Sequence, residues 1–222
     1  MIIPALNERE SIGLVLADIP SERVREIVVV DNGSSDGTAE VAQARGATVV
    51  RENRRGYGSA CLAGIRELEH RCHPPDVVVF LDADYSDHPE ELTVIVQPIA
   101  DGLADLVIGS RVLGQRERGA LLPQARFGNW LASCLIRLFY RMKVTDLGPF
   151  RAVRWSTLQE LAMADPDFGW TAEMQVKAAR AGARYREVPV SYRRRVGVSK
   201  ITGTLSGTLR AGYKILYTIL KR

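Results

Sequence analysis

The chain has 222 residues, 46% hydrophobic and 25% charged, a composition that supports one sizeable core and excludes a disordered or low-complexity protein. Its three cysteines, Cys61, Cys72 and Cys134, are odd in number and lack CxxC spacing, which argues against a disulfide framework and a zinc ribbon and favours a reducing, cytoplasmic setting. The net charge of +4 hides an asymmetry, because residues 1–110 carry −10 and residues 111–222 carry +14, an acidic part suited to a cation beside a basic part suited to phosphates.

In chain order, Ile2-Ile3, Glu26–Val30, Ala47–Arg51, Val77–Leu81 and Leu106–Ile108 read as strands, with helices at 9–19, 36–45, 57–70 and 89–100 between them. This alternation predicts an α/β fold: a mostly parallel, Rossmann-like open sheet with helices on both faces and ligands at the carboxyl ends of the strands. Beyond Gly109 the rhythm gives way to a Gly- and Arg-rich loop, a helical stretch over 125–142 and an irregular segment at Asp146–Arg151. A helix near 170–181, a strand at 183–190 and a basic loop at 191–200 follow. The tail 203–222 places Leu205, Leu209, Tyr213, Leu216 and Leu220 at helical spacing opposite Arg210, Lys214 and Lys221, the pattern of an amphipathic basic helix suited to peripheral contact with an anionic bilayer. No apolar run reaches the roughly 18 residues of a spanning helix, and the start lacks the apolar core of a secretory signal.

Polar motifs follow the strands. The first ends in Pro4-Ala5-Leu6-Asn7-Glu8 and the second in Asp31-Asn32-Gly33-Ser34-Ser35-Asp36. Turn and capping roles account for Gly33 and the serines but not for Asp31, whose place suits a nucleoside base or sugar. Asp82-Ala83-Asp84 closes a strongly apolar strand, and two carboxylates two residues apart offer hard oxygens for Mg²⁺ or Mn²⁺ bridging a diphosphate. Arg54-Arg55-Gly56-Tyr57-Gly58 opens a helix after the third strand and offers arginine and backbone N–H groups to phosphate or nucleoside. Neither GxGxxG after the first strand nor GxxxxGK[ST] is present, which counts against dehydrogenases and P-loop NTPases.

The ordered set Pro4-Ala-Leu-Asn7-Glu8, Asp31 to Thr38, Arg55-Gly-Tyr-Gly-Ser, Asp82-Ala-Asp84, Ile108-Gly-Ser-Arg111, Asp146 to Arg151 and Arg194 to Lys200 resembles the family-two glycosyltransferases, which have the glycosyltransferase A fold. It looks most like the dolichyl-phosphate mannose synthase and polyprenyl-phosphate glycosyltransferase branch. The resemblance implies that Pro4, Asn7, Glu8, Asp31, Arg55 and Gly56 line the nucleotide pocket. Asp82 and Asp84 would hold ribose, diphosphate and metal, and Arg111 and Arg126 would approach an acceptor phosphate. A loop containing Arg194, Ser199 and Lys200 would close over the donor diphosphate. Where this branch has Ser-Gly-Phe-Arg the chain has Gly148-Pro149-Phe150-Arg151, and Trp130 stands where a small polar residue is expected.

The expected organisation is a catalytic domain over 1–202 followed by the tail 203–222. Within that domain, residues 1–110 form the nucleotide-sugar and metal part and 111–202 the acceptor and diphosphate-loop part. The expected reaction is inverting transfer of a hexose from a UDP- or GDP-sugar, with Mg²⁺ or Mn²⁺, to a polyprenyl phosphate at the cytoplasmic membrane face. The alternatives are a hydroxyl acceptor, for which Asp146 or Glu173 would serve as base, and, in a different class, nucleotidyl transfer. Nucleic acid is not an expected partner.

Overall fold

The computed structural model describes residues 1–197 and 205–221, with the side chains of 205–210 undescribed. Seven strands form one sheet in the order β3-β2-β1-β4-β6-β5-β7. β1 (Ile2–Ala5), β2 (Val28–Asp31), β3 (Thr48–Arg51) and β4 (Val77–Phe80) run parallel, and β5 (Leu106–Ser110) pairs in parallel with β7 (Tyr185–Pro189). Between β4 and β5 lies β6 (Arg151–Arg154), antiparallel to both. The open α/β architecture read from the sequence is therefore present, with one reversed strand inserted in it.

Strand alternation sorts the apolar residues onto two faces. Ile3, Val29, Val79 and Val107 meet Ile12 and Val15 of α1 (Arg9–Asp18) and Leu92, Ile95 and Ile99 of α4 (Leu92–Ala100) on one side. Ile2, Val28, Val30, Phe80 and Ile108 meet Ala60, Ile65 and Leu68 of α3 (Tyr57–Glu69) on the other, where α6 (Trp155–Leu161) and α7 (Trp170–Arg180) add Leu158, Trp170 and Met174. Each such buried aliphatic side chain contributes roughly 1.5–3 kcal/mol. The short helix α2 (Thr38–Ala44) follows the Asp31 loop.

A third apolar cluster joins Ala132 and Ile136 of α5 (Pro123–Tyr140), Ala172 and Val176 of α7, and Ile219 of α8 (Leu205–Lys221). The tail helix is anchored there by Tyr140 Oη donating to Ile219 O at 2.6 Å and by Lys214 Nζ at 3.2 Å from Asp165 Oδ2. Its apolar stripe is divided: Ile219 is buried, whereas Tyr213 and Leu220 face outward. Among the described residues no helix is long and apolar enough to cross a membrane.

Neither β6 nor α6 is among the elements that the sequence pattern predicts. The strand is only four residues long and begins and ends in arginine, so hydropathy gives it no strand signature. Arg151 is nonetheless fully buried, because its guanidinium donates to the carbonyls of Leu147, Gly148 and Thr171 and lies 5.9 Å from the Trp170 ring centroid. Arg154 donates to Asp105 and to Ile99 O.

Candidate active site

The carboxyl ends of β1, β2 and β4 converge on a cleft of about 340 Å³ lined by Pro4, Glu8, Asn32, Arg55, Gly56, Tyr57, Asp82, Asp84, Asp167, Phe168 and Arg195. The loops around it are tied to one another by neutral groups. Asn7, with φ of 52°, donates its N–H to Ser34 Oγ at 2.9 Å and accepts at Oδ1 from Ser35 N–H, locking the β1 and β2 loops together. Asn32 donates to the carbonyls of Glu52 and Arg54 and accepts from Gly56 N–H at 2.8 Å, fixing the start of α3. Gly56 (φ 142°) and Gly58 let that start lie directly against the Asp165-Pro166 backbone, where a Cβ at either position has no room.

Asp82 and Asp84 stand at the floor. Tyr57 Oη donates to Asp82 Oδ1 at 3.1 Å. Burial and the neighbouring Asp84 carboxylate push the Asp82 carboxyl up to about 7. Asp84 Oδ1 accepts from Ser86 N–H at 2.9 Å and from Ser86 Oγ, and Asp84 Oδ2 lies 3.1 Å from Arg195. Asp87, also buried, has both carboxylate oxygens without a hydrogen-bond partner among the described residues, and burial together with Asp82 and Asp84 raises its pKa strongly. Among the described residues no group of three His, Cys, Asp or Glu side chains forms a closed metal site. Two crowded carboxylates in an open cleft instead fit a hard divalent cation that completes its shell with substrate oxygens.

Other anticipated residues fall elsewhere. Asp31 is buried, accepts from Ser34 N–H at 3.0 Å, and lines an adjoining polar hollow of about 310 Å³ with Ser35, Thr38 and Asn53. Arg111 makes a two-pronged bond to the fully buried Asp146, at 2.9 Å from Nε to Oδ2 and 2.7 Å from Nη2 to Oδ1, and packs 5.1 Å from the Tyr192 ring centroid. Glu173 is fully buried, accepts from the N–H groups of Ala164 and Asp165, and pairs with Lys177 at 3.1 Å. It thereby holds the loop that carries Asp167 and Phe168 into the cleft. Arg194 turns away and donates to Arg118 O at 2.9 and 2.6 Å. Ser199 and Lys200 lie outside the described residues.

Arg126 lines a cavity of about 490 Å³ with Arg116, Arg137, Phe127, Trp130 and Ser133, whose buried hydroxyl has no hydrogen-bond partner among the described residues. Between this cavity and the cleft is a largely apolar one of about 530 Å³, walled by Phe127, Leu131, Leu147, Pro149 and the α8 residues Tyr213 and Leu216. Tyr57, Asp82 and Phe168 line both it and the cleft. Sequence reasoning missed Asn32, Asp167, Phe168 and Arg195. Two of these carried a visible signal: Asn32, beside Asp31 at a strand end, and Arg195, in the arginine run before Gly197 whose place favours a phosphate clamp, although Arg194 is the member of that run the sequence singles out.

An open, mostly parallel sheet whose strand-end cleft carries paired carboxylates and opens on to a second cavity is the architecture of the glycosyltransferase A fold. The chain belongs to glycosyl transferase family 2, whose model matches residues 1–157. It is 39% identical over 213 residues to an uncharacterised glycosyltransferase of Mycobacterium tuberculosis, covering 95% of this chain and 93% of that protein. It is 33% identical over 218 residues to an undecaprenyl-phosphate mannosyltransferase of Micrococcus luteus, covering 93% and 88%. Among solved structures, it resembles glucosyl-3-phosphoglycerate synthase of M. tuberculosis in complex with Mn²⁺, UDP and glucosyl-3-phosphoglycerate, with a TM-score of 0.76, 24% identity, and coverage of 99% of this chain and 77% of that one.

These findings correct the sequence expectation in one respect. The motifs pointed to the polyprenyl-phosphate branch, but the fold matches over almost its full length an enzyme whose product carries a small phosphorylated acceptor. The assignment therefore stands at the family, and the expectation of a polyprenyl-phosphate acceptor is withdrawn. Arg111, expected at an acceptor phosphate, lines the second cavity, where its guanidinium is held by Asp146.

Proposed function

We propose that the protein transfers a hexose from a UDP-hexose, with Mn²⁺ or Mg²⁺, to a hydroxyl group of a small phosphorylated acceptor, inverting the anomeric centre. The observation that carries this reading is the shared wall of Tyr57, Asp82 and Phe168, which joins the nucleotide cleft to the neighbouring cavity and gives donor and acceptor a common junction. Arg116, Arg126 and Arg137 around the outer cavity supply cationic groups for an acceptor phosphate. Neither Arg116 nor Arg126 has an ion-pair partner among the described residues.

Asp82 and Asp84 would hold the cation, which when bound supplies positive charge to the departing diphosphate. Asp146 and Glu173 are engaged in buried ion pairs. Asp167, on the loop that lines the cleft, is the carboxylate we assign as general base. The acceptor oxygen attacks the anomeric carbon as the bond to the diphosphate oxygen breaks, its proton passes to Asp167, and UDP leaves.

The test sets UDP-glucose, UDP-galactose and GDP-mannose against 3-phosphoglycerate, other phosphorylated hydroxy acids, undecaprenyl phosphate and water, reading nucleoside diphosphate release, product mass and anomeric configuration. UDP release with a small phosphorylated product of inverted configuration is expected. Transfer confined to the lipid, or release of pyrophosphate, overturns the reading.

A further inference from the structure

The segment after β7 runs back along the turn that follows β4. Arg193 N–H donates to Ser86 O at 2.9 Å and Val196 N–H to Asp84 O at 3.0 Å. Between these bonds Arg195 enters the cleft, where its guanidinium lies 2.8 Å from Glu8 Oε1 and 3.1 Å from Asp84 Oδ2. It thus spans the cleft from the β1 loop to the β4 turn. Its Nε–H is buried without a hydrogen-bond partner among the described residues. Asp84 Oδ1 is already engaged by Ser86, so Arg195 sits on the oxygen through which Asp84 would meet a cation.

We propose that Arg195 holds the cation's place in the nucleotide-free enzyme, so that cation and nucleoside diphosphate bind together and each binds weakly alone. The inference rests on the metal-dependent reading above. A guanidinium and a divalent cation cannot share one carboxylate oxygen in a partly enclosed cleft without strong repulsion. A bare cation gains two carboxylates, but to do so it must separate Arg195 from Asp84 and leave the arginine with fewer partners. Breaking such a pair is costly when one charge is left uncompensated. A cation arriving with a diphosphate brings acceptor oxygens that the displaced guanidinium can take, its unpaired Nε–H included. The two ligands are then coupled, and the coupling is reciprocal.

The experiment measures Mn²⁺ binding to the full chain by the electron paramagnetic resonance signal of free Mn²⁺, with and without saturating UDP. The parent protein should bind Mn²⁺ about tenfold or more tightly with UDP than without it. Arg195→Gln should raise nucleotide-free Mn²⁺ affinity by about tenfold and shrink the UDP effect in proportion, whereas Arg195→Lys should stay near the parent. Arg55→Gln removes the same charge from the cleft wall without touching Asp84, and circular dichroism checks that each variant is folded. A rise in Arg55→Gln equal to that in Arg195→Gln, or none in Arg195→Gln, overturns the inference while leaving metal dependence intact. Absence of Mn²⁺ binding by the parent even with UDP overturns the metal-dependent reading and the inference with it.

Discussion

In the first 110 residues the loops that frame the cleft are positioned mainly by neutral hydrogen bonds between strand ends, as with Asn7 and Ser34, and Asn32 and Gly56. From Arg111 onward the same task falls to ion pairs, several of them between residues far apart in sequence. Arg111 meets Asp146, Glu173 meets Lys177 beneath the Asp167 loop, and Arg195 meets Glu8 and Asp84. A neutral hydrogen bond contributes about 0.5–1.5 kcal/mol and its loss is local. Removing one member of a buried ion pair leaves a charge stranded and costs about 3–5 kcal/mol. The two halves should therefore respond to substitution in opposite ways, the donor side losing chemistry and the acceptor side losing the fold.

The largest effect that would break this contrast is at Asp146. Asp146→Ala strands the Arg111 guanidinium and should destabilise the protein by about 3–5 kcal/mol, seen as a lower denaturant midpoint. A midpoint near the parent's would mean that Arg111 finds another partner and that the acceptor side is not held as described. Asp84→Asn should instead lower turnover by about 10²-fold or more, because an amide is no anionic ligand for a diphosphate-bound cation. Its thermal midpoint should change little, since the substitution relieves repulsion with Asp82 and Arg195 keeps Glu8 as its ion-pair partner. Arg126→Ala, alone or with Arg116→Ala, should raise the acceptor KM by about tenfold while leaving UDP affinity unchanged, each lost charge-assisted bond being worth about 1.5–3 kcal/mol at most.

The smallest effect concerns acid. Arg184, with Arg154, holds the Asp105 carboxyl down at about 2. Because its folded value lies below the unfolded one of about 3.9, its contribution is present above about pH 4 and is lost as pH falls toward the folded value. Arg184→Met should flatten that part of the stability profile and shift acid unfolding upward by a few tenths of a pH unit, an effect that high salt should shrink in the parent. Equal acid unfolding in parent and variant would remove this pair from the account.

The same contrast explains what the sequence disclosed. A strand-end carboxylate is local information: Asp82-Ala83-Asp84 follows a run of valines, and its place in the crevice comes from the sheet topology. Partnership across the acceptor side is tertiary information. Arg193, Arg194 and Arg195 are chemically identical, yet one lies 3.4 Å over the Tyr85 ring, the next donates to Arg118 O and the third enters the cleft. Their directions depend on how the segment registers against the turn after β4, which nothing within the arginine run specifies. β6 was hidden for a related reason, since Arg151 is tolerated in the core only because the carbonyls of Leu147 and Gly148 in the preceding turn and of Thr171 on α7 accept from it.

Trp170 is fully buried, with its ring centroid 4.7 Å from that of Phe80 and 6.1 Å from that of Tyr57, whose hydroxyl donates to Asp82. One indole is therefore a single side chain removed from the carboxylate expected to meet a cation, while Trp130, 57% exposed on α5, stands beside the arginine-lined cavity. Two of the three tryptophans are thus natural fluorophores in contrasting settings, a dry one behind the cleft and a wet one beside the arginine-lined cavity. With Trp155 replaced by Phe, their emission bands should separate by wavelength, so that filling of either compartment becomes visible without any label.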